Sequence, residues 1–160
     1  MRKIFVVLAT AWLVACAGNP FNGYNIAPGT PRQAVIERMG PPQRIVALPG
    51  GERLQYSLQP LGRLAWMVDL DASGKVVQSR QVLTQNNFQR IEAGKWTRED
   101  VEREFGRPAW VDAVASWNGP IMTYRWNDGS DMFYWVYLDP ADVVGRAHPG
   151  MEFINAPDRD

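Results

Sequence analysis

Hydrophobic and polar positions fall into two similar blocks along the chain. In residues 29–42 (Gly-Thr-Pro-Arg-Gln-Ala-Val-Ile-Glu-Arg-Met-Gly-Pro-Pro), Ala34, Val35 and Met39 make one apolar stripe at helical spacing. Residues 94–108 repeat it: Val101 meets Val35, Phe105 meets Met39, Gly106 meets Gly40 and Pro108 meets Pro42. Each block predicts a short helix, stopped by a glycine that tolerates left-handed geometry and a proline that cannot continue the ladder. Thr30 as N-cap, Pro31 at the first helical position and Gln33 predict a capping box for the first helix. Thr97 is the expected cap for the second, from Arg98 to Phe105. Residues 84–92 carry Phe88 and Ile91 three apart, predicting a third short helix that joins the blocks.

After each helix the period changes to two. Strands are predicted at 44–48, 53–58, 64–70 and 75–83, then at 109–117, 121–126, 131–138 and 143–148. Turn clusters separate them, among them Pro49-Gly50-Gly51, Asp71-Ala72-Ser73-Gly74 and Asn127-Asp128-Gly129. Tyr56 corresponds to Tyr124, Trp66 to Tyr134, Val68 to Val136, Leu70 to Leu138 and Asp71 to Asp139, all offset by 68, whereas the helices are offset by 66. Two residues are therefore gained in the turns, and strand parity is kept, as it must be if each strand is to present the same face. The expected fold class is α+β: two tandem units, each of one or two short helices packed on a three- to four-stranded antiparallel sheet.

The N-terminus does not belong to these units. Arg2 and Lys3 precede an apolar run at 4–14, too short for a permanent membrane span of roughly 20 residues but proportioned as a secretory signal. Leu13-Val14-Ala15-Cys16 resembles the lipobox of bacterial lipoprotein signals, which implies a lipid-attached Cys16 at the mature N-terminus. Cys16 is the only cysteine, so no internal disulfide competes for it. Several acyl chains exceed the two signals needed for stable anchoring. Ala17 rather than Asp after the cysteine implies, by the same resemblance, sorting to the outer membrane, with the protein facing the periplasm. The expected organisation is a signal peptide at 1–15, a lipidated terminus and Gly/Asn/Pro-rich tether at 16–28, a first unit at 29–83, a second at 84–150 and a loose tail at 151–160.

Lys+Arg and Asp+Glu balance at 17 each, and removing Arg2 and Lys3 tips the mature chain slightly acidic, so nucleic acid is not an expected partner. His148 is the single histidine and has no companion ligand, so neither a metal site nor a histidine-based triad is predicted. Asp71 belongs to a turn, and Glu99, Asp100, Glu102 and Glu104 read as a solvated acidic helix start. No cofactor and no catalytic group are expected. What remains are aromatics. If Trp66, Val68 and Leu70 face the helices, so do Tyr134, Val136 and Leu138. The other face then carries Ala65, Met67 and Asp69 in the first unit, but Phe133, Trp135 and Tyr137 in the second. Three alternate aromatics make either a protein-binding patch or a layer buried between the units. Trp110, Trp117 and Trp126 read as core or rim packing, and Trp96 as a contact at the start of a helix.

Asn87-Phe88-Gln89-Arg90-Ile91, Gly94, Thr97-Arg98-Glu99-Asp100-Val101 and Phe105-Gly106-Arg107-Pro108, with Tyr124 and Val136-Tyr137-Leu138-Asp139, resemble the SmpA/OmlA (BamE-like) family of outer-membrane lipoprotein domains. The resemblance covers most of residues 28–145. It implies short helices on an antiparallel sheet and a non-enzymatic role in outer-membrane assembly or maintenance. The expected partners are outer-membrane lipid, through the acylated Cys16, and an envelope protein. The family has one such domain where this chain has two. A tandem pair resembles the β-lactamase inhibitory protein arrangement, which implies the alternative of an inhibitor or sequestering protein for a periplasmic enzyme such as a β-lactamase or cell-wall hydrolase.

Overall fold

The structure, a computed structural model, describes residues 26–152. The expected signal peptide, the lipidated Cys16, most of the tether and nearly all of the tail lie outside the described residues. The first unit comprises α1 (Arg32–Met39), β1 (Arg44–Leu48), β2 (Gly51–Ser57), β3 (Ala65–Asp71) and β4 (Val76–Gln81). A single helical turn, α2 (Gln85–Phe88), leads into α3 (Arg98–Phe105), β5 (Trp110–Asp112), β6 (Ile121–Asn127), β7 (Asp131–Leu138) and β8 (Val144–Met151). Each set of four strands is an antiparallel meander, in the orders β1-β2-β3-β4 and β5-β6-β7-β8. The protein is α+β with two tandem units.

The repeat extends to individual hydrogen bonds. Tyr56 donates its hydroxyl to the Gly40 carbonyl at 3.1 Å, and Tyr124 donates to Gly106 at 2.8 Å. Each tyrosine thereby clamps the end of its unit's helix to the second strand. Gly40 and Gly106 share φ 80°, a left-handed value that lets the chain leave the helix toward the strand. Arg32 N–H donates to Gly74 and Arg98 N–H to Asp142, both at 2.8 Å, tying each helix start to the turn after the third strand. In those turns Asp71 Oδ1 accepts from the amides of Ser73 and Lys75, and Asp139 Oδ1 from those of Ala141 and Val143. Both sheets have a bulge just before the end of that strand, at Asp69/Leu70 and Tyr137/Leu138. The offset is 66 for the helices and for the first strand of each unit, where the Arg44–Gln55 pair matches Trp110–Thr123, and 68 for the strands that follow.

The layers follow from strand parity. Leu54, Tyr56, Val68 and Leu70 face α1 and enclose Val35, Ile26 and Val76 in one core. Ala65 and Met67, on the other side of β3, belong to a second core. It contains Phe88 of α2, Val101 and Phe105 of α3, and Met122, Tyr124, Trp126, Tyr134, Val136 and Leu138 of β6 and β7. The order is therefore α1, first sheet, α2 with α3, second sheet. Both faces of the first sheet are covered, and the far face of the second sheet has no layer over it among the described residues.

Polar bonds seal the junction between units. Gln55, on the same face as Met67, donates to the carbonyls of Glu102 and Arg103 at the end of α3, at 2.9 and 3.1 Å. Arg53 makes a two-pronged bond to Asp69 at 2.5 and 2.8 Å and reaches Glu104 at 3.0 Å. The edge of β6 is completed across the junction. In the first unit the Gln43 side-chain amide pairs with the backbone of Ser57. Its counterpart is Ala109, which has no side-chain amide, and there Gln59 of the first unit pairs with the backbone of Arg125 instead.

Several expectations change. The capping box is present at Thr97, whose hydroxyl accepts from the Asp100 amide while the Asp100 carboxylate accepts from the Thr97 amide. It is absent at Thr30. That hydroxyl donates to the Ala27 carbonyl at 2.7 Å, Gln33 turns to Glu37, and Pro31 occupies the N-cap position without a side-chain cap. Glu104 is not part of a solvated helix face, because its side chain is 12% exposed and sits among Arg53, Arg80 and Arg90. The strand expected at 109–117 keeps only Trp110–Asp112. The Trp117 indole donates to the Leu138 carbonyl at 2.6 Å, which draws the following residues out of the ladder into a loop.

Candidate functional site

Antiparallel register assembles the candidate face row by row. One row crosses Trp110, Thr123, Trp135 and His148, the next crosses Asp112, Ile121, Tyr137 and Arg146, and a third crosses Arg125, Phe133 and Gly150. Phe133, Trp135 and Tyr137 thus lie together on the face turned away from α2 and α3. They are not the layer between the units. That position belongs on the first sheet to Arg53, Gln55, Ala65 and Met67, which receive α3.

The three rings are half-buried, largely by one another and by β8. Trp135 lies across Gly150, where a Cβ would stand 2.1 Å from the indole, so a side chain there would lift the ring off the sheet. Phe133 lies 5.7 Å from Trp135, and Trp110 meets Phe133 edge-on at 5.4 Å. His148 stacks on Tyr137 at 5.3 Å and tilts against Trp135 at 5.4 Å. Trp117 meets Tyr137 edge-on at 5.3 Å. The Arg146 guanidinium stands over the Tyr137 ring at 3.9 Å and over Trp117 at 5.2 Å, a cation–π arrangement. Tilted and edge-on aromatic pairs of this kind add to area burial through ring quadrupoles.

The result is an aromatic belt with a basic margin on β8. Arg125, at its other end, is held by Glu152 and by the carbonyls of Pro60 and Leu61. Thr123, 1% exposed in the row between Trp110 and Trp135, has a hydroxyl without a hydrogen-bond partner among the described residues. Such a group is costly to bury unpaired. Nothing in the belt suggests bond-making chemistry. What it can do is bury apolar surface and offer a cation to a partner.

Sequence reasoning found the central rings but missed the margin. Trp126 is core, at 2% exposed, while Trp110 and Trp117 join the open face. Arg146 and His148 were legible in principle, since they alternate along β8 and fall opposite Tyr137 and Trp135. Their strand was read, but its register against β7 was not. Cys16 lies outside the described residues. Among the described residues no three His, Cys, Asp or Glu side chains gather as a metal site, and no helix is long and apolar enough to cross a membrane.

No protein-family model and no curated protein matches the chain. Among solved structures, the chain is similar to a DUF4309 family protein (YjgB) from Bacillus subtilis subsp. subtilis. The identity is 13% and the TM-score 0.31, over 77% of this chain and 79% of that one. A likeness of that degree bears on neither mechanism nor partners.

Proposed function

We propose that the protein is a non-enzymatic, lipid-anchored periplasmic protein of the outer membrane that binds an envelope protein through the open face of its second sheet. The observation that carries this reading is the contrast between equivalent faces. Ala65, Met67 and Asp69 lie under a helical layer, whereas Phe133, Trp135 and Tyr137 occupy the same register positions on a face that nothing in the described chain covers. A terminal repeat that stays solitary in solution needs a polar outer surface. This one carries five aromatic residues of the second unit instead, Trp110, Trp117, Phe133, Trp135 and Tyr137, and large aromatics in a contiguous patch are what binding hot spots are made of. The Arg146 and His148 margin suits a partner whose apolar ridge is flanked by acidic groups. The lipobox at 13–16 supports the location.

The test is site-specific photo-crosslinking in cells, with Trp135→p-benzoylphenylalanine and with the exposed Leu61→p-benzoylphenylalanine as control. The expected outcome is a discrete adduct with one envelope protein from position 135, absent from position 61 and lost on Arg146→Glu. Equal labelling from both positions, or none from 135, would sink the reading. Inhibition of a β-lactamase or cell-wall hydrolase by the purified protein, abolished by Trp135→Ser, would replace it with the enzyme-inhibitor alternative.

A further inference from the structure

Register places Arg44, Gln55, Met67 and Arg80 in one row across the first sheet. The row Trp110, Thr123, Trp135 and His148 occupies the same positions in the second. The first row carries the carbonyl end of α3. Gln55 donates to the Glu102 and Arg103 carbonyls, and Arg53 in the next row adds a bond to Arg103 at 2.9 Å. Arg44 holds the Glu102 carboxylate and Arg80 that of Glu104, each at 2.9 Å. A sheet face of this protein thus already holds one helix end, with donors on its last carbonyls and cations on its acidic side chains.

The equivalent face of the second sheet has donors but no helix over it among the described residues. The indole N–H groups of Trp117 and Trp126 are spent on the Leu138 and Phe133 carbonyls. Those of Trp110 and Trp135 have no hydrogen-bond partner among the described residues. His148 stands at the position of Arg80, and Arg146 at that of Gln78. Arg146 makes no ion pair among the described residues; its guanidinium lies over the Tyr137 and Trp117 rings. Asp112, at the far β5 margin, is the only carboxylate in the two central rows.

We propose that this face receives the carbonyl end of a helix of the envelope partner, as the first sheet receives the end of α3. The inference rests on the binding-face reading above and names what that face binds. Trp110 and Trp135 donate their indole N–H groups to the carbonyls of the last turn, which a helix cannot satisfy by itself. Arg146 and His148 meet an acidic side chain of that turn, as Arg80 meets Glu104. The helix dipole favours a cation at the same end. A second copy of this chain does not fit. The helix it could offer, α1, carries Arg38 where α3 carries Glu104, and that would set one cation against another at Arg146.

The adduct formed in cells from Trp135→p-benzoylphenylalanine, digested and sequenced by mass spectrometry, gives the test. The expected attachment point lies in the last two turns of a partner helix that carries Asp or Glu there. Attachment to a strand or loop, or to α1 of a second copy, overturns this proposal and leaves the binding face standing. No adduct from position 135 removes both readings, so the two failures are distinguishable. With the partner so identified, replacing its acidic residue by Arg should weaken binding to the purified protein about tenfold, and Arg146→Glu should then restore it. Trp135→3-benzothienylalanine keeps the bicyclic ring and deletes only the N–H. It should weaken binding about fivefold with an unchanged melting temperature, since that N–H bonds nothing among the described residues. Unchanged affinity there, or no rescue by the charge exchange, would count equally against the proposal.

Discussion

Glu104 draws three arginines from three elements or their flanks. Arg80 and Arg90 donate to one carboxylate oxygen at 2.9 and 3.0 Å, and Arg53 donates to the other at 3.0 Å. Beside it, Asp69 takes the two-pronged bond from Arg53 and a further one from Gln78 at 2.7 Å. Burial pushes both carboxyls up, but the guanidinium groups outweigh it and hold each below its ordinary value: Arg53 chiefly for Asp69, and Arg80 then Arg53 for Glu104. A carboxyl depressed in the folded state contributes stability that is present above its unfolded value, about 4. That stability is lost as pH falls through the folded value. The protein is therefore expected to lose stability below about pH 4, and Asp69→Asn should flatten that limb of a stability-versus-pH curve measured in urea. Asp69→Ala should cost about 3 kcal/mol at neutral pH, because it strips a buried guanidinium of its closest partner. Replacing both members, as Arg53→Met with Asp69→Leu, should recover much of that loss. A limb unchanged by Asp69→Asn would show that the acid sensitivity arises elsewhere.

At the scale of elements, the two helices end alike and begin differently. Thr97 heads a reciprocal capping box, so Thr97→Ala should cost about 1 kcal/mol. Thr30 makes only an exposed bond to Ala27, so Thr30→Ala should cost clearly less, near the few tenths expected of a surface position. Equal losses in chemical denaturation would mean that the caps are equivalent after all. The same pair shows what was legible in the chain beforehand. Gly40 and Gly106, the tyrosine clamps and strand parity are local or repeat-enforced, and the α+β fold of two tandem units could be read from them. The capping box at Thr30 could not, because the hydroxyl's alternative partner three residues back competes for it. The open face was half legible. Alternation placed Phe133, Trp135 and Tyr137 together, but whether a sheet face is covered depends on where a distant helix lands. α3 takes the face bearing Gln55 and Met67, a choice set by contacts some 50 residues apart in the chain. Trp117 likewise left its expected strand for a carbonyl across the sheet.

The whole molecule has two units but a shared core. Ala65 and Met67 of the first sheet are buried with Phe88, Phe105 and Val136 of the second unit. Opening the first unit would therefore strip one wall from the second unit's core. It would also leave Glu104 without Arg53 and Arg80, and the backbone of Arg125 without Gln59. Each of these costs falls on the second unit, so the units should open together rather than in sequence. Val35 offers a clean probe, since it is fully buried between α1 and the first sheet and belongs to the core that the second unit does not enter. Val35→Ala removes two methyl groups and should cost about 2 kcal/mol. If opening is joint, amide exchange at Val136, in the centre of the second sheet, should accelerate by the equivalent of that loss, about thirtyfold. Exchange at Val136 unmoved by Val35→Ala would mean that the second unit holds without the first. The junction would then be a docking contact between independent bodies, and the aromatic face could be presented by the second unit alone.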